Sequence, residues 1–325
     1  MPAQGPLDFG VVIRINIMSL QKKRFRYFWE SVIEGNIKIT ATLAIIAVFL
    51  IFLFIMRESL PIFFSREVMQ EITFGKLFHG IEWQPVSDNP RFSMWPIILG
   101  SLKVTLIALV FAVPTAIGAA LYSSEFAGPR LKEFIKPVVE LLAGIPSVVL
   151  GFFALIVMAS FLKNVFGWTY RLNAVNAGIA LGFAIIPAIF SLAEDALNAV
   201  PKSYREAALG LGATPWQTAF NVVLPAALPG VSAAVLFGMG RAVGETMVVL
   251  MAAGNAPLFS FNPLDSTRTM TATIAAELGE VVFGGGHYHA LFFIGLALFL
   301  VTFVINTASW VLFDSLMNKL YGAKK

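Results

Sequence analysis

The sequence lacks cysteine and contains little charge. Without cysteine, the chain can form no disulfide bond, no thiolate metal site and no cysteine nucleophile. Only 13% of its 325 residues are charged, whereas soluble domains contain roughly 25% charged residues. Hydrophobic residues make up 58% of the chain. This composition excludes a disordered chain and an ordinary soluble domain, and it favours a membrane protein.

Several enzyme motifs are also missing. The chain has no Gly-x-x-x-x-Gly-Lys-Ser/Thr loop, so it cannot be its own ATP motor. It has no His-Glu-x-x-His and no Gly-x-Ser-x-Gly element. His287 and His289 lie in a glycine-rich stretch, but two ligands fall short of a closed metal site. We therefore expect no catalytic residue, no metal and no cofactor. The net charge of +4 reflects loop topology, so we expect no nucleic acid partner.

Six apolar runs are long enough to cross a bilayer as helices, which takes roughly 20 residues each. Residues 1–38 precede them as an amino-terminal segment, and residues 39–325 form the predicted transmembrane domain, with long loops at 57–94, 201–221 and 254–289. The sequence thus predicts an all-α, polytopic membrane protein with six transmembrane helices. The runs cover residues 39–56, 95–122, 137–162, 173–197, 222–253 and 290–317.

The positive charges predict the orientation of these spans. The loops on the side of the termini carry about twice as many Lys and Arg residues as the other loops, and cytoplasmic loops retain positive charge. We therefore expect both termini and loop 201–221 in the cytoplasm, with loops 57–94 and 254–289 outside. The run at residues 22–29 mixes cations with aromatic rings. It suits either contact with anionic membrane lipid or a plain topology signal.

Loop 201–221, which we call the elbow, contains two predicted helix starts. Ser203 with Glu206, and Thr214 with Gln217, match the spacing of a capping box, in which the two side chains satisfy exposed amide groups. Gly212 lies between them and offers a left-handed exit from the first helix. A loop that only joined two spans would not need such structure. The pattern predicts a helix-turn-helix on the cytoplasmic face.

The elbow also resembles a family motif. Glu206-Ala207-Ala208, then Gly212, then residues 222–225 match the EAA loop of ABC importer permeases, with Val222 replacing the usual isoleucine. In that family the loop is the coupling helix, which sits in a groove of the ATP-hydrolysing subunit. The resemblance assigns contact with this subunit to one set of residues: Ser203, Arg205, Glu206, Ala207, Ala208, Gly212 and Thr214.

Further segments resemble the phosphate importers of this family, and among their permeases the PstC branch. These segments are residues 80–85, 140–149, 240–247, 271–277 and 286–289. The resemblance runs from about residue 75 to the carboxyl end. It implies a type I ABC importer permease (MetI-like) fold in the bacterial inner membrane and phosphate as the substrate. A permease of another oxyanion importer, the related permease PstA and a motor-independent channel remain alternatives.

The same resemblance implies three protein partners. One is a second permease subunit similar to PstA. Another is a PstB-like dimer of ATP-binding subunits, which would supply the energy. The last is a PstS-like phosphate-binding protein, periplasmic or lipid-anchored, which would deliver the anion to the external loops.

Ionisable residues inside the predicted spans are candidates for the translocation path, because charge is costly to bury in lipid. Arg241 and Glu245 are four residues apart, so on one continuous helix they share a face and can pair. A guanidinium group matches the geometry of phosphate, and a neighbouring carboxylate weakens binding enough for release. The alternative is a structural ion pair. Glu140 and Ser147 complete the predicted path, although a helix-start charge and a backbone cap are the respective alternatives.

Three further expectations concern the ends of the spans. Pro225 and Pro229 remove two backbone donors where the elbow joins the fifth run, so we predict a kink and a hinge there. Lys103 is expected to reach lipid headgroups at the outer end of the second run. Glu194 and Asp195 are expected at the cytoplasmic interface, either snorkelling or supporting the base of the elbow.

Overall fold

The computed structural model is mostly α-helical. It describes residues 9–321, and the side chains of residues 29–315. The chain divides into two units, Met1–Phe54 and Ile55–Lys325, with the boundary inside the first helix. The first eight residues of the predicted amino-terminal segment, and the side chains of its basic run up to residue 28, lie outside the described part. The first helix runs past residue 38 without a break.

Helices and one hairpin account for the described secondary structure. The strands β1 (Trp83–Gln84) and β2 (Arg91–Phe92) pair antiparallel. Two π-helical segments, Ala154–Met158 and Ala219–Val223, connect helices end to end. The helices are α1 (Phe9–Ser59), α2 (Pro61–Phe64), α3 (Arg66–Glu71), α4 (Phe74–Phe78), α5 (Trp95–Glu125), α6 (Pro129–Ala143), α7 (Ser147–Phe153), α8 (Ala159–Phe166), α9 (Ala174–Asn198), α10 (Lys202–Gly210), α11 (Pro215–Thr218), α12 (Leu224–Ala226), α13 (Leu228–Gly244), α14 (Met247–Ala252), α15 (Met270–Glu277) and α16 (Gly286–Tyr321).

The described residues contain five helical stretches long and apolar enough to cross a membrane, and a bent pair that can serve as a sixth. The bent pair is Pro215–Ala226 with Leu228–Gly244. The six predicted runs therefore correspond to five spans and one broken span. The five stretches are Trp29–Phe64, Trp95–Glu125, Ser147–Phe166, Ala174–Asn198 and Gly286–Ser315.

Helix α9 packs closely against α5 and α13 because small residues line the contacts. A Cβ atom added to Gly178 would lie 2.5 Å from a methyl carbon of Ile107, and one added to Gly182 would lie 2.5 Å from the ring of Phe111. Small residues spaced four apart let transmembrane helices approach closely, where dispersion contacts hold them together. The facing row on α5 consists of buried alanines: Ala108, Ala112, Ala116 and Ala120.

The predicted third span, residues 137–162, is wrong at its start. Helix α6 ends at Ala143, and the membrane-long stretch begins at Ser147. Pro146 explains the break, because proline lacks an amide hydrogen and pushes the residue before it out of the helical region. The stretch ends at Phe166, where Gly167 adopts a left-handed conformation (φ +69°). Glu140 therefore lies on α6 and does not open the third span.

The predicted fifth span, residues 222–253, is broken twice. Helices α12 and α13 meet at a bend of 70°. Pro225 lies in α12 and Pro229 lies in the first turn of α13, so the bend falls where a kink is predicted. The second break follows Gly244, because Glu245 has an extended backbone (φ −71°, ψ 131°), and α14 begins at Met247.

Candidate functional site

The elbow is a folded helix-turn-helix with one of its two predicted capping boxes. The amide of Gln217 donates to Thr214 Oγ1 at 3.3 Å, and the amide of Thr214 donates to Gln217 Oε1 at 2.9 Å. The other predicted box is wrong, because α10 starts after Pro201, which places Ser203 inside the helix with no capping bond. Gly212 has φ +88°, the left-handed exit expected of it.

Most of the predicted coupling residues lie on the exposed surface of the elbow. Two apolar side chains lie beside them: Leu211 is 91% exposed and Trp216 is 62% exposed. Neither was predicted from the sequence, although an apolar side chain at the tip of a polar loop is a recognisable signal of an interaction surface. The exposed or half-buried members of the predicted set are Ser203, Glu206, Ala207, Ala208, Gly212 and Thr214.

Arg205 is the exception, because its side chain points into the protein. Its Nη2 atom donates to Glu125 Oε1 at 2.7 Å, and its Nε atom lies 3.0 Å from Glu125 Oε2. Nη1 and Nη2 also donate to the carbonyl oxygens of Val200 and Leu197 at 2.6 and 2.9 Å. Arg205 therefore joins the elbow to the ends of α5 and α9. Glu125 was missed because its partner is 80 residues away in the chain.

Arg241, Glu245 and Ser147 line one cavity of about 220 Å³. Its other walls are apolar side chains and backbone at the end of α6, in α7 and in α9, including Phe183. Glu140 is not in this cavity. It lines a separate and largely apolar cleft of about 690 Å³, beside Gly144. The structure thus brings together three of the four predicted path residues.

The predicted ion pair between Arg241 and Glu245 is wrong. Because α13 ends at Gly244, Glu245 leaves the helical face, and its Oε1 atom accepts hydrogen bonds from the amides of Thr246 and Met247 at 3.0 and 3.1 Å. A carboxylate at this point satisfies the open amide groups where α14 begins. Arg241 is exposed in the isolated chain, and it has no ion-pair or hydrogen-bond partner among the side chains and backbone that the structure describes.

Two glycines close to Arg241 in the sequence have different surroundings. A Cβ atom on Gly238 would lie 2.4 Å from Ile189 Cγ1, so this glycine permits the close approach of α13 to α9. Gly244 has open space around it, next to the cavity. Helix α15 holds the break from the other side, since Thr271 Oγ1 donates to the carbonyl oxygen of Glu245 at 2.9 Å.

The opposite end of the bundle is held together by buried charges. Lys103 is only 9% exposed, and its Nζ atom donates to the carbonyl oxygens of Ser260 and Asn262 at 2.9 and 3.1 Å. The expectation that Lys103 reaches lipid is therefore wrong. These carbonyl groups, which no local pattern reveals, satisfy its ammonium group within the protein.

Glu277 is the centre of a second, partly buried cluster at this end. Its Oε1 atom forms an ion pair with Arg268, and its Oε2 atom accepts from the indole nitrogen of Trp83 at 3.1 Å. His287 Nε2 lies 3.0 Å from the same Oε2 atom. The cluster connects the hairpin, α15 and the start of α16.

Glu194 does not snorkel. It is buried at the elbow end of α9, and Ser123 Oγ donates to its Oε1 atom at 2.5 Å. A snorkelling carboxylate would be exposed, so that alternative is wrong, and the position of Glu194 agrees with the other one, in which it supports the base of the elbow. Asp195, its neighbour in the sequence, is exposed.

Comparison with solved structures supports the predicted fold. The chain is similar to an inward-facing form of the MetNI methionine ABC transporter, with a TM-score of 0.53 and 20% identity over 69% of this chain and 97% of that one. It is also similar to a bacterial ABC transporter involved in alginate import, with a TM-score of 0.59 and 17% identity over 89% and 98%. These similarities confirm a type I ABC importer permease fold of the MetI kind.

Comparison with known sequences gives closer matches. The chain is 37% identical to a probable ABC transporter permease protein, YqgH, of Bacillus subtilis, over 69% of this chain and 72% of that protein. It is 34% identical to the phosphate transport system permease protein PstC of Mesorhizobium japonicum (72% and 76%). It is 30% identical to the PstC of Haemophilus influenzae (88% and 94%).

A family assignment follows from these matches. Residues 112–319 match the family described as "Binding-protein-dependent transport system inner membrane component". This segment contains the elbow, the bent span and the cavity beside Arg241. The resemblance identified from the motifs is thereby confirmed, and the chain belongs to the family of inner-membrane components of binding-protein-dependent transport systems.

Proposed function

We propose that this chain is a permease subunit of an ATP-driven phosphate importer. The carrying observation is the unpaired guanidinium group of Arg241, which lies in a cavity among membrane-spanning helices. Several relatives that the chain covers over most of their length are described as PstC subunits of phosphate transport systems, which supports phosphate as the substrate.

Arg241 is the proposed contact of the anion. A planar guanidinium offers donors in the fork geometry that fits phosphate oxygens, and its charge persists in an apolar surrounding. Glu245 lines the same cavity, but one of its carboxylate oxygens accepts hydrogen bonds from backbone amides. Its negative charge limits the affinity, so the anion can leave. Ser147 supplies a hydroxyl group to the same cavity. Glu140 remains a prediction, because it faces another cleft.

The elbow is the proposed contact of the motor. Glu206, Leu211 and Trp216 lie on its exposed surface, and the capping box at Thr214 fixes its second helix. An ATP-binding subunit dimer similar to PstB would grip this surface. ATP binding would close the dimer and move the elbow, and the bundle would then alternate between outward and inward access. Pro225 and Pro229 at the 70° bend are the proposed hinge.

The remaining partners and the orientation follow from the same proposal. The open side of the Arg241 cavity would be covered by a second permease subunit similar to PstA. Both termini and the elbow would lie in the cytoplasm, on the side that carries more Lys and Arg. A PstS-like binding protein would deliver phosphate to the opposite end, where the hairpin lies. Membrane lipid would surround the assembly.

The test is radiolabelled phosphate uptake in cells that lack the chain, restored with variants. Arg241→Gln removes a charged hydrogen-bond donor, a loss of about 1.5–3 kcal/mol, so uptake should fall at least about tenfold. Lys163→Gln is the matched control, because Lys163 is an exposed cation outside the cavity. The ATP-binding subunit should co-purify equally with both variants.

Two results would overturn the proposal. Unchanged uptake by Arg241→Gln would make this arginine structural. If deletion of the chain leaves phosphate uptake intact but abolishes that of sulfate or molybdate, the substrate is another oxyanion.

A further inference from the structure

Arg205 joins three elements at one point. Its guanidinium group binds both carboxylate oxygens of Glu125 at the end of α5, and it also binds the carbonyl oxygens of Leu197 and Val200 at the end of α9. The Arg205 and Glu125 side chains are only 21% and 9% exposed. A bidentate pair that is shielded from water is stronger than a surface ion pair. The first helix of the elbow is therefore attached firmly to both α5 and α9.

The residues just before Glu125 attach α5 to α9 as well. Ser123 Oγ donates to Glu194 at 2.5 Å, and Ser124 Oγ donates to Asn198 Oδ1 at 3.1 Å. Three consecutive residues of α5 thus each hold a different partner. Together with the close glycine and alanine packing further along, these bonds make α5 and α9 one stiff unit at the elbow end.

The other end of the elbow is connected in a different way. After α11, the chain passes through the π-helical segment Ala219–Val223 and then bends by 70° before α13. Wide helical turns and proline bends lose regular backbone hydrogen bonds, so they deform more easily than straight α-helix. The elbow is therefore joined to α5 and α9 by side-chain bonds, whereas its backbone connection to α13 is an irregular and bent stretch of helix.

We infer that Arg205 and Glu125 are positioning residues that make the elbow move as one body with α5 and α9. A push from the motor then reaches α5 and α9 directly, and α13 follows through its close packing against α9. The inference rests on the proposed function, in that the elbow is taken to be the motor's docking site. Arg205 acts within the permease in this assignment, whereas the sequence analysis placed it against the ATPase.

Arg205→Lys is the most informative substitution. It keeps the charge, but its single ammonium group cannot bind both edges of a carboxylate and two carbonyl oxygens that lie elsewhere. Glu125→Gln is the reciprocal change, because it preserves the shape and removes the charge. Lys202→Gln is the matched control, since Lys202 is an exposed cation on the same helix and binds no described residue.

The first experiment uses the complete transporter, with its ATP-binding and second permease subunits, in proteoliposomes. For Arg205→Lys and Glu125→Gln, we expect retention of the ATP-binding subunit and ATP hydrolysis within about twofold of wild type. Phosphate ions imported per ATP should fall about tenfold, the effect of losing a charged hydrogen-bond network. Lys202→Gln should match wild type. Wild-type stoichiometry in Arg205→Lys would overturn the inference, and so would loss of the ATP-binding subunit, because Arg205 would then only fold the elbow.

The second experiment does not depend on the substrate. Since the chain has no cysteine, pairs of spin labels can be placed at will. Gly210→Cys labels the elbow and Tyr122→Cys labels α5, both at exposed positions. Between nucleotide-free and ATP-trapped states, the distance from 210 to 122 should stay constant in the wild-type protein. Arg205→Lys should broaden this distance.

The two experiments separate failure of the inference from failure of the proposed function. A change in the distance from 210 to 122 between the two states of the wild-type protein would overturn the inference, whatever the substrate, and so would an unbroadened distance in Arg205→Lys. A constant distance from 210 to 122 in a transporter that imports no phosphate would support the inference and reject the proposed substrate.

Discussion

Gly100 in α5 offers a quantitative test of how the helices and the loop at residues 254–269 fit together. A Cβ atom added there would lie 2.1 Å from the carbonyl oxygen of Arg268 and 2.7 Å from Thr267 Oγ1. Ordinary contact begins at 3.4 Å, so the backbone at Arg268 would have to move by about 1.3 Å. A backbone atom cannot avoid the new methyl group by changing rotamer. Gly100→Ala therefore displaces the loop from α5.

The cost of this change follows from the bonds around the contact. Overpacking costs about 1–3 kcal/mol. The amide of Thr267 donates to the carbonyl oxygen of Ala253, and Arg268 Nε donates to the carbonyl oxygen of Asn255. The loss of each bond would cost about 1 kcal/mol. The higher helix propensity of alanine offsets about 1 kcal/mol of this cost. We expect a net loss of about 2–4 kcal/mol.

The assay is thermal unfolding of the detergent-purified chain, followed by tryptophan fluorescence. At about 2–4 °C per kcal/mol, Gly100→Ala should lower the melting temperature by about 4–16 °C. Gly118→Ala is the control on the same helix, because a Cβ atom there meets nothing within 4 Å. Equal melting temperatures for the two variants would refute the close contact between α5 and the loop.

Two further predictions concern the two ends of the bundle. Thr214→Ala removes the confirmed capping bond, worth about 1 kcal/mol, so the elbow should retain the ATP-binding subunit severalfold more weakly in pull-down. Lys163→Gln, at an exposed cation outside the elbow, should leave retention unchanged; equal retention by the two variants would contradict this. Glu277→Gln should expose the loops at the hairpin end to faster limited proteolysis, because it breaks a partly buried ion pair. Glu82→Gln should not, since its pair with Arg91 is exposed. Equal cleavage rates would show that the Glu277 cluster does not hold the loops.

Features written into short stretches of sequence were predictable. The second capping box depends on residues three apart, and the bend depends on prolines at its own position, so local spacing was enough. Pro146 also marks a helix end, but the apolar residues on both sides of it concealed the boundary. The first capping box failed because Pro201 begins the helix earlier than Ser203 could.

Features that depend on distant partners were not predictable. Lys103 finds its carbonyl partners 157 and 159 residues away, and nothing in its own neighbourhood distinguishes it from a lysine that reaches lipid. Arg205 looks like an exposed charge in a polar loop until Glu125 is placed beside it. Charged side chains in a membrane protein are thus the residues whose roles depend most on tertiary contacts.

The break after Gly244 determines what Arg241 can do. On a continuous helix, Glu245 would lie one turn further along the same face and would neutralise the guanidinium. The extended backbone at Glu245 instead directs its carboxylate to the amides that begin α14, and Thr271 holds the break through the carbonyl oxygen. An unpaired arginine in a membrane span costs at least about 2.5 kcal/mol. The break therefore forgoes the pairing that a continuous α13 would allow, as the proposed contact between Arg241 and the anion requires.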